Sequence, residues 1–109
     1  MIVKLTEKNF EKEVRACSGA VLVEFYASWC PRCAMMEDVL RQFAEENSNI
    51  KVCQADAVSE NHLAERYGIE RVPAFIAYEN GKPVGAVVGV VPQKTLKELF
   101  TSDCPDGKK

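Results

Sequence analysis

Cys30 and Cys33 flank Pro31 and Arg32 within VLVEFYASWCPRCAMMEDVL, directly after an apolar run. Two thiols at this spacing can cycle between dithiol and disulfide, or supply half of a tetrahedral zinc site. The zinc alternative needs a second pair of ligands. The sequence has a single histidine, His62, and its other cysteines, Cys17, Cys53 and Cys104, are widely scattered. No metal is expected from that ligand set. If Cys30 is a helix N-cap, Pro31 takes the first helical position, where its missing N–H costs nothing because that donor has no intrahelical acceptor. The Cys30 sulfur then faces the free N–H groups of Arg32 and Cys33. Such a setting lowers a cysteine pKa from about 8.5 into the range of roughly 3.5 to 7.5. Cys30 is therefore the expected nucleophile. Cys33, half a turn deeper, is the expected resolving thiol, attacking Cys30 in a mixed disulfide to release the reduced substrate.

Two charged residues bear on this pair. Arg32 puts a cation into the first helical turn, where it opposes the dipole by about 0.3 to 1 kcal/mol unless an anion compensates it. The Cys30 thiolate would be that anion, making Arg32, with Pro31, a tuner of the redox equilibrium. The alternative is a solvated surface arginine contributing little. Glu24 lies within the apolar run AVLVEFYA. A carboxylate buried there is costly unless paired or protonated, and its raised pKa suits a general base near neutral pH. The alternative is a glutamate facing solvent at an edge.

The elements that must position these groups follow from the pattern. The 109 residues, 47% hydrophobic and 28% charged, suit one domain with a modest core. A net charge of −2, with both signs interleaved, gives no reason to expect nucleic acid or an anionic membrane as partner. MIVKLTEKNF lacks the pattern of a secretory signal, no apolar run approaches the roughly 18 residues of a membrane span, and an odd number of cysteines makes a poor disulfide framework; a reducing cytoplasm is the expected location. IVKLT reads as an edge strand. Thr6 or Asn9 can cap a helix carrying Phe10 and Val14, with Gly19 as its stop. AVLVEFYA reads as a central strand buried on both faces. Met36, Val39, Leu40 and Phe43 recur at helical spacing, and IKVCQA completes a βαβ unit. Cys53 on that strand reads as an inert core thiol, whereas Cys17 and Cys104 read as exposed thiols or redox-sensitive ones. Ser59 is the expected N-cap of a helix ending at Gly68. AFIAY and PVGAVVGV flank Asn80-Gly81, the signal of a type I′ hairpin, and Pro92 suits the first turn of a last helix. The domain is expected over residues 1–101, followed by a polar tail at 102–109.

In order and spacing, VLVEFYASWCPRC, YGIERVPAFIAYENGK and VVGVVPQKTLKEL resemble the thioredoxin family over residues 1 to about 101. The resemblance implies an α/β fold with a central mixed sheet of about five strands flanked by four helices. It also implies a protein-disulfide oxidoreductase needing no cofactor, monomeric, with disulfide-containing proteins as substrates and a flavin-dependent thioredoxin reductase as electron donor. Net oxidation or isomerisation, or a non-catalytic redox-sensing module, are the alternatives. The buried acid of the family corresponds to Glu24, and the lysine usual on the neighbouring strand corresponds to Gln54. Physics alone favours trans for Val72-Pro73, since only about 5 to 6% of X–Pro bonds are cis. The resemblance implies cis, with Trp29, Val72, Pro73 and Gly89 contacting substrate; Gly89 read alone is equally a strand end or bulge. Several positions depart from the family pattern. Tyr26 replaces a common tryptophan, Ala34 a basic residue, Ala74 a threonine, and Asp38 the proline that usually kinks the active-site helix.

Overall fold

The computed structural model describes residues 2–100; Cys104 and the tail expected at 102–109 lie outside them. The chain runs β1 (Ile2–Leu5), a π-helical turn (Glu11–Arg15), β2 (Ala20–Tyr26), α1 (Pro31–Met35), α2 (Glu37–Glu46), β3 (Ile50–Asp56), α3 (Asn61–Arg66), β4 (Ala74–Glu79), β5 (Lys82–Val88) and α4 (Gln93–Lys97). The strands form one sheet in the order β1-β3-β2-β4-β5. β1 and β2 run parallel to β3, whereas β4 runs antiparallel to β2 and β5 to β4. The mixed five-stranded sheet, the edge position of β1 and the central position of β2 agree with expectation.

Alternation along β2 sorts the core into two layers. Val21, Val23 and Phe25 pack with Phe10, Val14, Leu63 and Tyr78 on one face. Leu22 packs on the other with Met36, Leu40, Phe43, Phe75 and Leu96. Each such large side chain is worth roughly 1.5 to 3 kcal/mol when fully buried. Glu24 belongs to the second face, so the packing that secures α2 also holds a carboxyl group out of water.

Turn chemistry supplies the connections, in places differently from the sequence reading. Thr6 and Asn9 both cap: the Asn9 N–H donates to Thr6 Oγ1 at 3.2 Å, and the Thr6 N–H to Asn9 Oδ1 at 2.7 Å. The turn that follows is wider than an α-helix, closed by Ala16 N–H to the Glu11 carbonyl at 2.7 Å, and it ends before Gly19. Gly19 instead ties two loops together. Its N–H donates to Asn80 Oδ1, and the Asn80 N–H returns to its carbonyl, both at 2.9 Å. Asn80 and Gly81, at φ 53° and 84°, form the expected I′ hairpin. Ser59 is not the cap of α3, because Asp56 at the end of β3 takes the N–H groups of both Val58 and Ser59 and the helix starts two residues later behind Glu60. Pro92 is the N-cap of α4 rather than its first helical residue, with extended backbone and its carbonyl accepting from Thr95 and Leu96.

The helical stretch that follows Cys30 is broken without a proline. Met36, at φ −87° and ψ −7°, separates α1 from α2, and its N–H turns back to the Cys33 carbonyl. No helix among the described residues is long and apolar enough to cross a membrane.

Candidate active site

β2 ends at Tyr26, and the loop 27–29 delivers Cys30 to the start of α1. Cys30 is the N-cap, Pro31 occupies the first helical position, and the Cys33 N–H donates to Cys30 Sγ at 3.3 Å. The Cys30 thiol also lies 3.7 Å from the Val72 carbonyl oxygen. The Val72-Pro73 peptide bond is cis. Gly89, just beyond β5, has φ 104° and donates its N–H to the Pro73 carbonyl at 2.8 Å. That positive φ is why glycine suits the position. The structure thus brings Trp29, Cys30, Arg32 and Cys33 from one loop–helix junction against Val72 and Pro73 from the loop that leads into β4, with Gly89 behind Pro73.

The two cysteines are almost equally enclosed, 7% and 6% exposed. Their ionisation nevertheless diverges. The Cys30 thiol is held below its ordinary pKa, first by the hydrogen bond from the Cys33 thiol, then by the backbone N–H groups of Cys33 and Arg32 and by the Arg32 charge, all working against burial. Cys33 is pushed up to about 12, foremost by burial and then by its role as donor to Cys30. Arg32 therefore acts in the expected direction but is the last of the contributions at Cys30.

Glu24 is 2% exposed, which removes the solvent-facing alternative. It stands opposite Gln54 in the β2–β3 register and accepts a hydrogen bond from Gln54 Nε2 at 2.8 Å. Among the described residues no cation forms an ion pair with it. Burial raises its pKa above the ordinary carboxyl value of 4.5, the Gln54 amide opposes this, and the Glu37 charge adds to it. A cavity of about 440 Å³ adjoins Glu24, Cys30, Cys33, Glu37 and Gln54. It has room and polar partners for water between the buried carboxyl and the Cys33 thiol.

Cys53 is fully buried and pushed up to about 12 by burial. Cys17 is half-buried rather than exposed, with Lys51 Nζ 3.9 Å from its sulfur. It lies before β2, at the opposite end of the strands from Cys30. The sequence reading missed two residues near the pair: Glu37, at the cavity, and Arg71, which lines a groove beside Cys30. Arg71 immediately precedes Val72 of the cis pair, but nothing local in the sequence marks Glu37 or Arg71 as a neighbour of Cys30.

A mixed five-stranded sheet that presents a CxxC pair at a helix start, against a cis proline, defines the thioredoxin-fold class. The family profile described as Thioredoxin matches residues 1–102. Thioredoxin of Porphyra purpurea is 35% identical over 100 residues, covering 91% of this chain and 94% of the relative. Thioredoxin 1 of Synechococcus elongatus is 36% identical over 93 residues, covering 84% and 87%. Thioredoxin M5, chloroplastic, of rice (Oryza sativa subsp. japonica) is 35% identical over 100 residues, covering 91% of this chain and 58% of the relative. The chain belongs to the thioredoxin family. It spans between 55 and 60% of the length of the chloroplastic M-type relatives of rice, maize and wheat.

Proposed function

We propose that the chain is a thiol–disulfide oxidoreductase that reduces protein disulfides through Cys30 and Cys33. The observation that carries this reading is the position of Cys30 Sγ, which receives the Cys33 N–H at a helix start and lies beside the Val72 carbonyl. The Cys30 thiolate attacks one sulfur of a substrate disulfide, forming a mixed disulfide and expelling the other substrate sulfur as thiolate. Glu24, acting through the adjoining cavity, takes the Cys33 proton; the Cys33 thiolate attacks Cys30 and the second substrate thiolate departs with a proton from Glu24. Two electrons pass to the substrate, leaving a Cys30–Cys33 disulfide. Trp29, Val72, Pro73 and Gly89 form the surface that holds the substrate chain, and Pro31 and Arg32 favour the thiolate.

A reductase partner, at family level a thioredoxin reductase, restores the dithiol. A cytoplasmic location suits this direction, because the cycle needs a compartment where thiols are kept reduced. The lowered Cys30 pKa favours the dithiol form and so supports the oxidising direction as a second reading. The test is reduction of insulin disulfides with dithiothreitol as electron source. Catalytic amounts of the chain are expected to accelerate precipitation of the insulin B chain many-fold, and Cys30→Ser to return the rate to that of dithiothreitol alone. Equal rates with and without the wild-type chain would remove the enzymatic reading.

A further inference from the structure

Beside Cys30 lies a groove of about 390 Å³ lined by Trp29, Arg32, Val58, Arg71 and Val72. Trp29 and Val58 are 70% and 59% exposed, so the groove has an apolar wall open to solvent. Arg32 and Arg71 are both exposed, and neither lies within ion-pair distance of a described carboxylate. Elsewhere Arg15 and Arg41 do have carboxylate partners, Glu11 and Asp38. Within the groove two guanidinium groups face a single acid, Glu70. This contrasts with a chain whose net charge is −2. The cavity on the other side of Cys30 has the opposite bias, with Glu24, Glu37 and an Arg41 already bound to Asp38. The nucleophile thus stands where a cationic groove meets an acidic one.

We propose that this groove selects disulfides in acidic protein segments, with Arg71 and Arg32 reading carboxylates that flank the attacked cystine. The proposal rests on the oxidoreductase reading above and names its substrate class. An extended segment lying against Val72 advances about 3.3 Å per residue, so side chains within two residues of the attacked cysteine fall within reach of Arg71. The guanidinium group is suited to this task because its planar fork matches a carboxylate and its charge persists at every physiological pH. Trp29 and Val58 accept the apolar part of the segment. Acidic flanks meet opposite charge on the Arg32–Arg71 side, whereas basic flanks meet like charge, which is a discriminating device as well as an attractive one. Exposed charges of this kind act mainly on encounter rates and are screened by salt.

The test uses three otherwise identical cystine peptides whose disulfides are flanked by glutamate, glutamine or lysine. Single-turnover reduction rates by the reduced chain are each divided by the rate with dithiothreitol, which removes intrinsic peptide reactivity. At 20 mM salt the glutamate peptide is expected to react about tenfold faster than the lysine peptide, and the ratio to fall below about twofold at 0.5 M. Arg71→Gln should shrink the ratio and Arg71→Glu should invert it; any change in Cys30 reactivity common to all peptides cancels in the ratio. Equal normalised rates for the three peptides, or a ratio untouched by Arg71→Glu, would overturn the proposal while leaving the oxidoreductase reading in place. No reduction of any peptide would overturn both.

Discussion

Cys33→Ser is expected to turn a catalyst into a trap. Mixed with one equivalent of a disulfide peptide and no other thiol, the variant should form a stable one-to-one adduct, and release of fully reduced peptide should fall by at least about 10³-fold. The magnitude follows from proximity: a resolving thiol held next to the mixed disulfide acts at an effective concentration far above any millimolar thiol in solution. No other described cysteine can substitute. Cys53 is fully enclosed in the core and Cys17 precedes β2, at the far end of a seven-residue strand from Cys30. Serine keeps the size and a donor toward the Cys30 sulfur, so the attacking group retains its leading hydrogen-bonding partner. Intact-mass measurement reads the outcome. A variant that releases reduced peptide at the wild-type rate would show that Cys33 is not the resolving group.

Replacement of Glu24 should separate catalysis from stability. Its pKa is raised in the folded chain, mainly by burial, above the ordinary 4.5. Between those two values the folded state binds more protons than the unfolded one, so this group makes stability fall as pH rises through the window, and the loss persists above the folded pKa. Glu24→Leu is therefore expected to be more stable than wild type at neutral pH by about 1–3 kcal/mol, the range for a buried polar group short of partners. The gap between the two proteins should shrink as pH falls toward 4.5, because Glu24 then takes up its proton in both the folded and the unfolded state. The same variant should resolve the mixed disulfide about 10²-fold more slowly at pH 7, at the low end of what a positioned base contributes. Its resolving rate should then climb only at higher pH, as the buried Cys33 thiol ionises without a base beside it, whereas the wild-type rate rises at lower pH with the deprotonation of Glu24. Glu24→Gln, which can still meet Gln54, tests the proton independently of the packing. Urea denaturation and pH–rate profiles measure both effects; a resolving profile identical to wild type in both variants would remove the base role.

Much of this was legible because local chemistry and the global fold agree. The almost continuous apolar run around Val21–Phe25 could bury both faces only in the middle of a sheet, and β2 is the central strand. Asn80-Gly81 specified its turn because few residues accept positive φ at both positions. Cys30-Pro31 specified a helix start because proline fits the first turn. Legibility ended where one polar group competed with another. Ser59 had the right type for a cap, but Asp56, already fixed by β3, reached the N–H groups first. The cis state of Val72-Pro73 could not come from local preference and was visible only through family resemblance. Glu24 stood out as a charge in an apolar run, yet its lack of an ion pair among the described residues depends on the register that places Gln54 opposite it. Arg71 and Glu37 were silent because their proximity to Cys30 exists only once the chain has folded around the cysteine pair.

The central claim is that Cys30 is the activated thiol of the molecule. Alkylation of the reduced wild-type chain by iodoacetamide, followed by peptide mapping across pH, tests it most directly. The account predicts that Cys30 is modified first, at least about tenfold faster at pH 7 than Cys17, Cys33 or Cys53, with a midpoint below the ordinary thiol value of 9.0. Leading modification at another cysteine, or a Cys30 midpoint at or above 9.0, would contradict it.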